Sequence, residues 1–360
     1  MLTRIDRYII SRLFSITLFV LLVLIFIFII IDFSENSDDF TDRGATFYEI
    51  FFDYYLHYIP EIIRLVSPVA IFVACLLLTG QLSDRLEITA MKAAGISLYR
   101  LLVPYFLFAF TMAGIIHYLD GYVVPISNTE RVEFEREYIQ KKSDRIDRNR
   151  IYRQESPNRY VLINYFHASE ETAYRVMFYT FDGERLSETM EISRMQWNDE
   201  KDLWEMRNGE IRKYNDSGFE EITFSERDTT FSFLPRDIAR TSSDVYQLTY
   251  PEIRDYLASI RRSGAGGIQM PMVQYYGKLT YPISIIVVTL IGVAIASVKR
   301  KGGRGVHIAA GLAISFLYLA SMKMMEPFGH SGSIDPFYAS LAPHLIFLFI
   351  GIMLLIIARK

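Results

Sequence analysis

Six apolar runs punctuate the chain, three before residue 120 and three after residue 278, and what lies between them is polar or alternating. A helix rising ~1.5 Å per residue needs roughly 20 apolar residues to cross a ~30 Å hydrocarbon core. The runs at 13–31, 65–82 (beginning earlier, around Tyr58), 101–119, 279–298, 306–322 and 337–358 are near that length, the second and fifth being the shortest, and each is free of Asp, Glu, Lys and Arg. They predict six transmembrane helices in two groups of three. The first run follows Arg4, Arg7 and Arg12 but exceeds the core of a signal peptide and precedes no small-residue cleavage site, so it reads as a retained span.

Between the groups, the pattern turns first helical and then alternating. Pro125, with Ser127 and Asn128 as possible caps, opens a charged helix through about Lys142. The segments 159–166, 173–181, 190–197, 202–214 and 219–233 are rich in β-branched and aromatic residues and read as strands. Asp182-Gly183, Asn198-Asp199 and Asp216-Ser217-Gly218 mark turns, and Asn208-Gly209 marks a turn or bulge. The segment 190–197 alternates, with Ile192 opposite in phase to Met195 and Trp197. Short strands without intervening helical periodicity argue for an all-β sandwich or jelly roll. Residues 235–243 read as its exit linker, before an amphipathic helix capped by Thr249 in which Ile253, Tyr256, Leu257 and Ile260 share a stripe and which 261–267 ends. The expected organisation is therefore 1–119, three spans with a short helix at 84–94; 120–249, the β domain; and 250–360, the amphipathic helix and three further spans.

Composition and charge add orientation and exclude chemistry. The chain has 360 residues, 51% of them hydrophobic and 22% charged, with a net charge of −3, and shows no basic stripe suited to nucleic acid. Basic residues flank one set of span ends: Arg4, Arg7 and Arg12; Arg85, Lys92 and Arg100; Lys299, Arg300, Lys301 and Arg304; Arg359 and Lys360. The loop after the first span is acidic instead, with Asp32, Glu35, Asp38, Asp39, Asp42, Glu49 and Asp53. The asymmetry predicts cytoplasmic termini and an external 120–278. Cys75 is the single cysteine, so no disulfide forms within the chain. No P-loop, His-Glu-x-x-His pattern or cysteine pair occurs, and the Gly-rich 301–305 lies in a turn between spans. No catalytic, metal or cofactor residues are expected, His344 reads as a helix-packing group, and charge-free spans argue against a proton-driven carrier.

The loop 83–100 is longer than a connector needs. Ser83 or Asp84 can cap a short helix that Gly95 ends, with Leu86, Ala90, Met91 and Ala94 on one stripe and Glu87 and Lys92 elsewhere. A small-residue helix parallel to the membrane suits mechanical coupling to another subunit.

Four stretches together resemble the LptF/LptG permeases of the lipopolysaccharide transport exporter: IDRYIISRLF at the start, RLEITAMKAAGIS in the loop, YVVPISNTERVEFEREY after the third span, and MQWNDEKDLWEMRNGEI in the β domain. DRYI and GRGVHIAAGLAISFLY look more like the LptG type. The resemblance implies a six-helix permease with a periplasmic β-jellyroll, in the bacterial inner membrane. It implies a second LptF/LptG-type permease, a cytoplasmic ABC ATPase dimer, periplasmic jellyroll bridge proteins, and lipopolysaccharide as substrate. Arg85, Glu87, Met91, Ala94 and Gly95 would then face the ATPase, and Phe33, Leu162, Met177 and Phe178 would meet lipid. In one respect the chain departs: where LptG-type permeases often carry a basic residue near the outer end of span one, it has Asp32-Phe33-Ser34-Glu35. A rival reading is a non-transporting sensor or assembly scaffold, favoured by a close-packed β domain without an apolar groove. A lipid-modifying enzyme is disfavoured by the lack of clustered His and carboxylates.

Overall fold

The computed structural model describes residues 3–139, 148–167, 170–215, 218–235, 238, 244–262, 268–297 and 303–358. The turn at Asp216-Ser217, most of the linker 235–243, the residues 263–267 and the basic 299–301, 359 and 360 lie outside them. The chain divides into two compact units, one of 1–140, 246–250 and 272–360, the other of 141–245 and 251–271.

The first unit is helical. Helix α1 (Arg4–Asp42) begins in a capping box in which Thr3 and Asp6 satisfy each other's backbone N–H. A short turn (Phe47–Glu49) and a π-helical stretch (Ile50–Tyr55) lead into α2 (Leu56–Asp84). Helix α3 (Glu87–Ala93) is followed by α4 (Leu98–Tyr118), a second π-helical stretch (Leu119–Val123) and α5 (Val124–Tyr138). Ser127 and Asn128 therefore do not cap a new helix: they lie inside one that runs on from the third span. After the strands come α6 (Tyr250–Arg262), nearly all of which belongs to the second unit, and then α7 (Gln269–Thr280), α8 (Ile283–Ala296), α9 (Gly303–His330) and α10 (Pro336–Ala358).

Among the described residues, four helices are long and apolar enough to cross a membrane, at Arg4–Asp42, Phe47–Asp84, Leu98–Glu135 and Pro336–Ile357. The pair α7 and α8, bent by 49°, makes a fifth if it is one span. The fifth apolar run of the sequence lies within α9. The most apolar stretch of α2 is 67% buried and that of α1 only 6%, so α2 is the centre of this unit and α1 lies at its edge.

The second unit is built on one antiparallel sheet in the order β1 to β6: Arg148–Ser156, Arg159–His167, Thr172–Asp182, Arg185–Asn198, Leu203–Asn215 and Gly218–Thr229. Strand β1, charged along its length, was not legible from alternation. The described strands form a simple meander, without the crossovers that define a jelly roll. One face carries the core, where Val161, Ile163, Phe166, Val176, Phe178, Met190, Ile192, Met195, Trp204 and Met206 are buried together with Phe233.

The opposite phase of Ile192 and Met195 belongs to a line across the sheet. The buried positions switch phase between Ile163 and Phe166, Ala173 and Val176, Ile192 and Met195, and Met206 and Gly209. These positions are register partners: Ile163 pairs with Val176, Phe166 with Ala173, Ile192 with Gly209 and Met195 with Met206. Strands β2 to β5 thus each turn their pleat over at the same level, so the ladder stays in register while one face of them remains apolar. Arg175 and Asn208 take up the change with left-handed φ of 51° and 53°. Beside Asn208, a Cβ on Gly209 would fall 2.0 Å from the Phe224 ring, so that ring requires glycine.

Candidate functional site

Arg64, Asp120 and Lys278 each stand one residue outside an apolar run, and the fold gathers them in one place. Pro68 has no N–H, so the carbonyl of Arg64 has no partner within α2. The Tyr281 hydroxyl donates to that carbonyl at 3.0 Å and to the Leu65 carbonyl at 3.2 Å. Lys278 Nζ in turn donates to the carbonyls of Asp120, in the π-helical stretch, and Leu248, at 3.3 and 3.2 Å. Side chains at and beside the α7–α8 bend are thereby tied to backbone carbonyls of α2, of the π-helical stretch and of the segment just before α6.

The charges compensate one another. The Arg64 guanidinium donates to Glu61 at 3.1 Å, comes within 3.7 Å of Asp120 Oδ1 and lies 5.4 Å from the Tyr281 ring centre. Asn128 donates its Nδ2 to the other Glu61 oxygen. Buried charges persist only when paired in this way. Behind them, Tyr250 packs on Gly121, where a Cβ would meet its ring at 2.1 Å, and its hydroxyl lies 3.1 Å from His117 Nδ1. Burial holds the Tyr250 phenol well above its ordinary value, so it stays a neutral hydroxyl. Around the cluster is a cavity of about 360 Å³ whose wall includes Glu61, Arg64, Asp120, Asn128, Lys278 and Gln274. Sequence reading missed this site because each charge served only to bound a span; the signal available was that three charges abut three spans at their ends remote from the short-helix loop.

At the other ends of the spans, Asp6 and Arg100 form a two-pronged ion pair at 2.8 and 2.7 Å that joins α1 to the start of α4, with Asp6 2% exposed. Close by in sequence is the expected coupling helix, with different boundaries. Ser83 and Asp84 do not cap it, because they end α2; Arg85 and the left-handed Leu86, with φ of 59°, separate the two helices, and α3 begins at Glu87. Gly95 (φ 83°) ends it as expected, donating its N–H to the Lys92 carbonyl. Its stripe is also rotated: Ile88 is the buried anchor, with Met91 partly buried against the same core. Leu86, Ala90, Ala93, Ala94 and Gly95 are exposed together. Glu87 is half-buried, 3.9 Å from the exposed Arg85.

The four residues expected to meet lipid are not brought together. Helix α1 continues past the expected end of the span, so Phe33 lies on a helix, 40% exposed and beside Phe40. Asp32 there accepts hydrogen bonds from Tyr54 and Tyr55 at 3.2 and 3.1 Å. Leu162 and Met177 are register partners, half-buried, on the sheet face opposite the core. Phe178 is on the core face, fully buried and stacked on Phe231 at 4.6 Å. Neighbours along a strand point to opposite faces, so Met177 and Phe178 cannot both line one groove. His344 is buried and bonded to the Tyr318 hydroxyl, joining α9 to α10. Among the described residues, no group of three or more His, Cys, Asp or Glu could hold a metal ion.

A family model described as lipopolysaccharide export system permease LptF/LptG matches residues 7–357. The chain is 21% identical, over 97% of its own length and 97% of theirs, to the lipopolysaccharide export system permease protein LptG of Escherichia coli strain K12 and to that of strain O6:H1. The likeness spans both helical groups and the sheet between them, with a weak lean to the LptG type. The chain belongs to the LptF/LptG family of lipopolysaccharide export permeases.

Proposed function

We propose that this chain is one permease subunit of an ABC exporter that takes lipopolysaccharide from the bacterial inner membrane, with ATP hydrolysed by a separate cytoplasmic dimer. Its termini and α3 lie on the cytoplasmic side and the sheet in the periplasm, in keeping with the Lys/Arg asymmetry. The lipid passes between this chain and a second LptF/LptG-type permease, crosses the core face of the sheet, which serves as a jellyroll, and moves on to periplasmic bridge proteins.

The observation that carries this reading is α3. A chain without a nucleotide-binding motif presents a helix anchored by Ile88, with Leu86, Ala90, Ala93 and Ala94 exposed beside Arg85 and Glu87. Small residues let another backbone approach closely, and a rigid anchor passes its movement to α2 and α4. Arg85, Glu87, Met91, Ala94 and Gly95 are assigned to the ATPase contact. Phe33 and Phe178 are assigned to lipid, with Leu162 and Met177 supporting the sheet from its other face. Phe231 and Phe233 stack over the core face, their rings 5.3 Å apart, so a lipid reaching Phe178 displaces them.

Gentle solubilisation and affinity purification test the assembly. A second permease and an ABC ATPase should co-purify with this chain in fixed ratio. Recovery of the chain alone, with no ATP-dependent release of lipopolysaccharide on reconstitution with candidate partners, would favour the scaffold reading.

A further inference from the structure

The cavity beside Arg64 has a surplus of acceptors. Asp120 and Asn128 are both 0% exposed, and neither oxygen of Asp120 nor Oδ1 of Asn128 has a hydrogen-bond partner in the protein. Oε1 of Gln274, in the same wall, is likewise buried without one. The Asn128 amide is oriented by its donation to Glu61, so the atom left over is its carbonyl oxygen. Buried acceptors of this kind cost roughly 1–3 kcal/mol each unless a donor reaches them.

Among the donors in the same wall, Arg64 Nε and His330 Nε2 are also buried without a hydrogen-bond partner, so the orphaned acceptors outnumber them. Lys278 donates to two carbonyls, and Arg64 is held between Glu61 and Asp120. Glu61 and Asp120 balance Arg64 and Lys278, so the cluster as a whole is neutral. A phosphate would bring further acceptors and negative charge against two carboxylates. A divalent ion would find no group of three or more His, Cys, Asp or Glu among the described residues, and would sit against a guanidinium. A neutral group rich in hydroxyls supplies donors and leaves the charge balanced. The volume, about 360 Å³, exceeds what a single water needs and falls in the range of small-molecule sites.

We propose that this cavity binds the uncharged, hydroxyl-bearing part of a lipid headgroup, a lipid-borne sugar, in preference to a phosphate. The proposal rests on the permease reading and assigns to it a headgroup site formed wholly within one subunit, from α2, α5, α7, α9 and α10. Asp120, Asn128 and Gln274 accept from the hydroxyls; Arg64 and Lys278 position Asp120 and its carbonyl.

The full chain in phosphatidylcholine nanodiscs is titrated with glucosyl diacylglycerol and with phosphatidic acid of the same acyl chains, and retained lipid is counted by native mass spectrometry. The glycolipid should be preferred about tenfold, the size of one good hydrogen bond to a site built for it. Asn128→Leu should abolish that preference, and Gln274→Leu, which leaves the ion pairs intact, should reduce it severalfold even where the first variant folds poorly. Equal or stronger retention of phosphatidic acid, or a glycolipid preference untouched by both variants, overturns the proposal. Competition by methyl glucoside as strong as by the lipid overturns its lipid-borne part. Loss of preference here with lipopolysaccharide still captured on the sheet, or the reverse, separates failure of this site from failure of the permease reading.

Discussion

Single residues carry much of the fold's specificity. Trp204 is fully buried in the sheet's core, and its indole N–H donates to the Phe233 carbonyl at 3.1 Å, so it fixes the segment that covers the core face. Trp204→Ala should cost about 3–5 kcal/mol and be seen as faster proteolysis of the sheet unit in an otherwise inserted protein. Gly121→Val would drive a side chain into the Tyr250 ring and should lower thermal stability by about 1–3 kcal/mol through the charge cluster's support. At this scale the sequence was least legible. Arg64, Asp120 and Lys278 looked like span boundaries because hydropathy reports where a charge stands along the chain and not which other charges share its depth. Met177 and Phe178 looked like one groove because both are apolar, although strand geometry separates them.

Elements were legible where periodicity was strong. The apolar runs at 13–31, 65–82 and 101–119 all lie in helices, and the predicted stripe of Ile253, Tyr256, Leu257 and Ile260 is buried. Charged β1 was missed for want of alternation, and α3 was rotated because its anchor, Ile88, is a single residue among small ones. The assigned role of α3 makes a sharp expectation. Glu87→Ala should weaken ATPase association by about 2–5 kcal/mol in a pull-down with purified ATPase, whereas a surface glutamate of no consequence would stay within about 0.5 kcal/mol. Ile88→Ala should loosen the helix itself, weakening association together with protection of α3 from hydrogen exchange; Glu87→Ala should leave that protection unchanged. Normal association and transport in the Glu87 variant would remove that residue from the contact.

For the molecule as a whole, orientation and transport can each be measured. Cys75 is fully buried, so a cysteine introduced at the exposed Glu220 reports on the sheet alone. Glu220→Cys should react with a membrane-impermeant maleimide in intact spheroplasts, and Lys92→Cys only after lysis; the opposite pattern would invert the topology. On the proposed function, lipopolysaccharide travels over the core face of the sheet under power from ATP. The most direct measurement places a benzoylphenylalanine photo-crosslinker at Phe178 or at Met177, in the complete complex reconstituted with lipopolysaccharide. Capture at Phe178 should rise with ATP, with little capture at Met177. Equal capture at the two positions, or capture at Phe178 indifferent to ATP, would contradict that route.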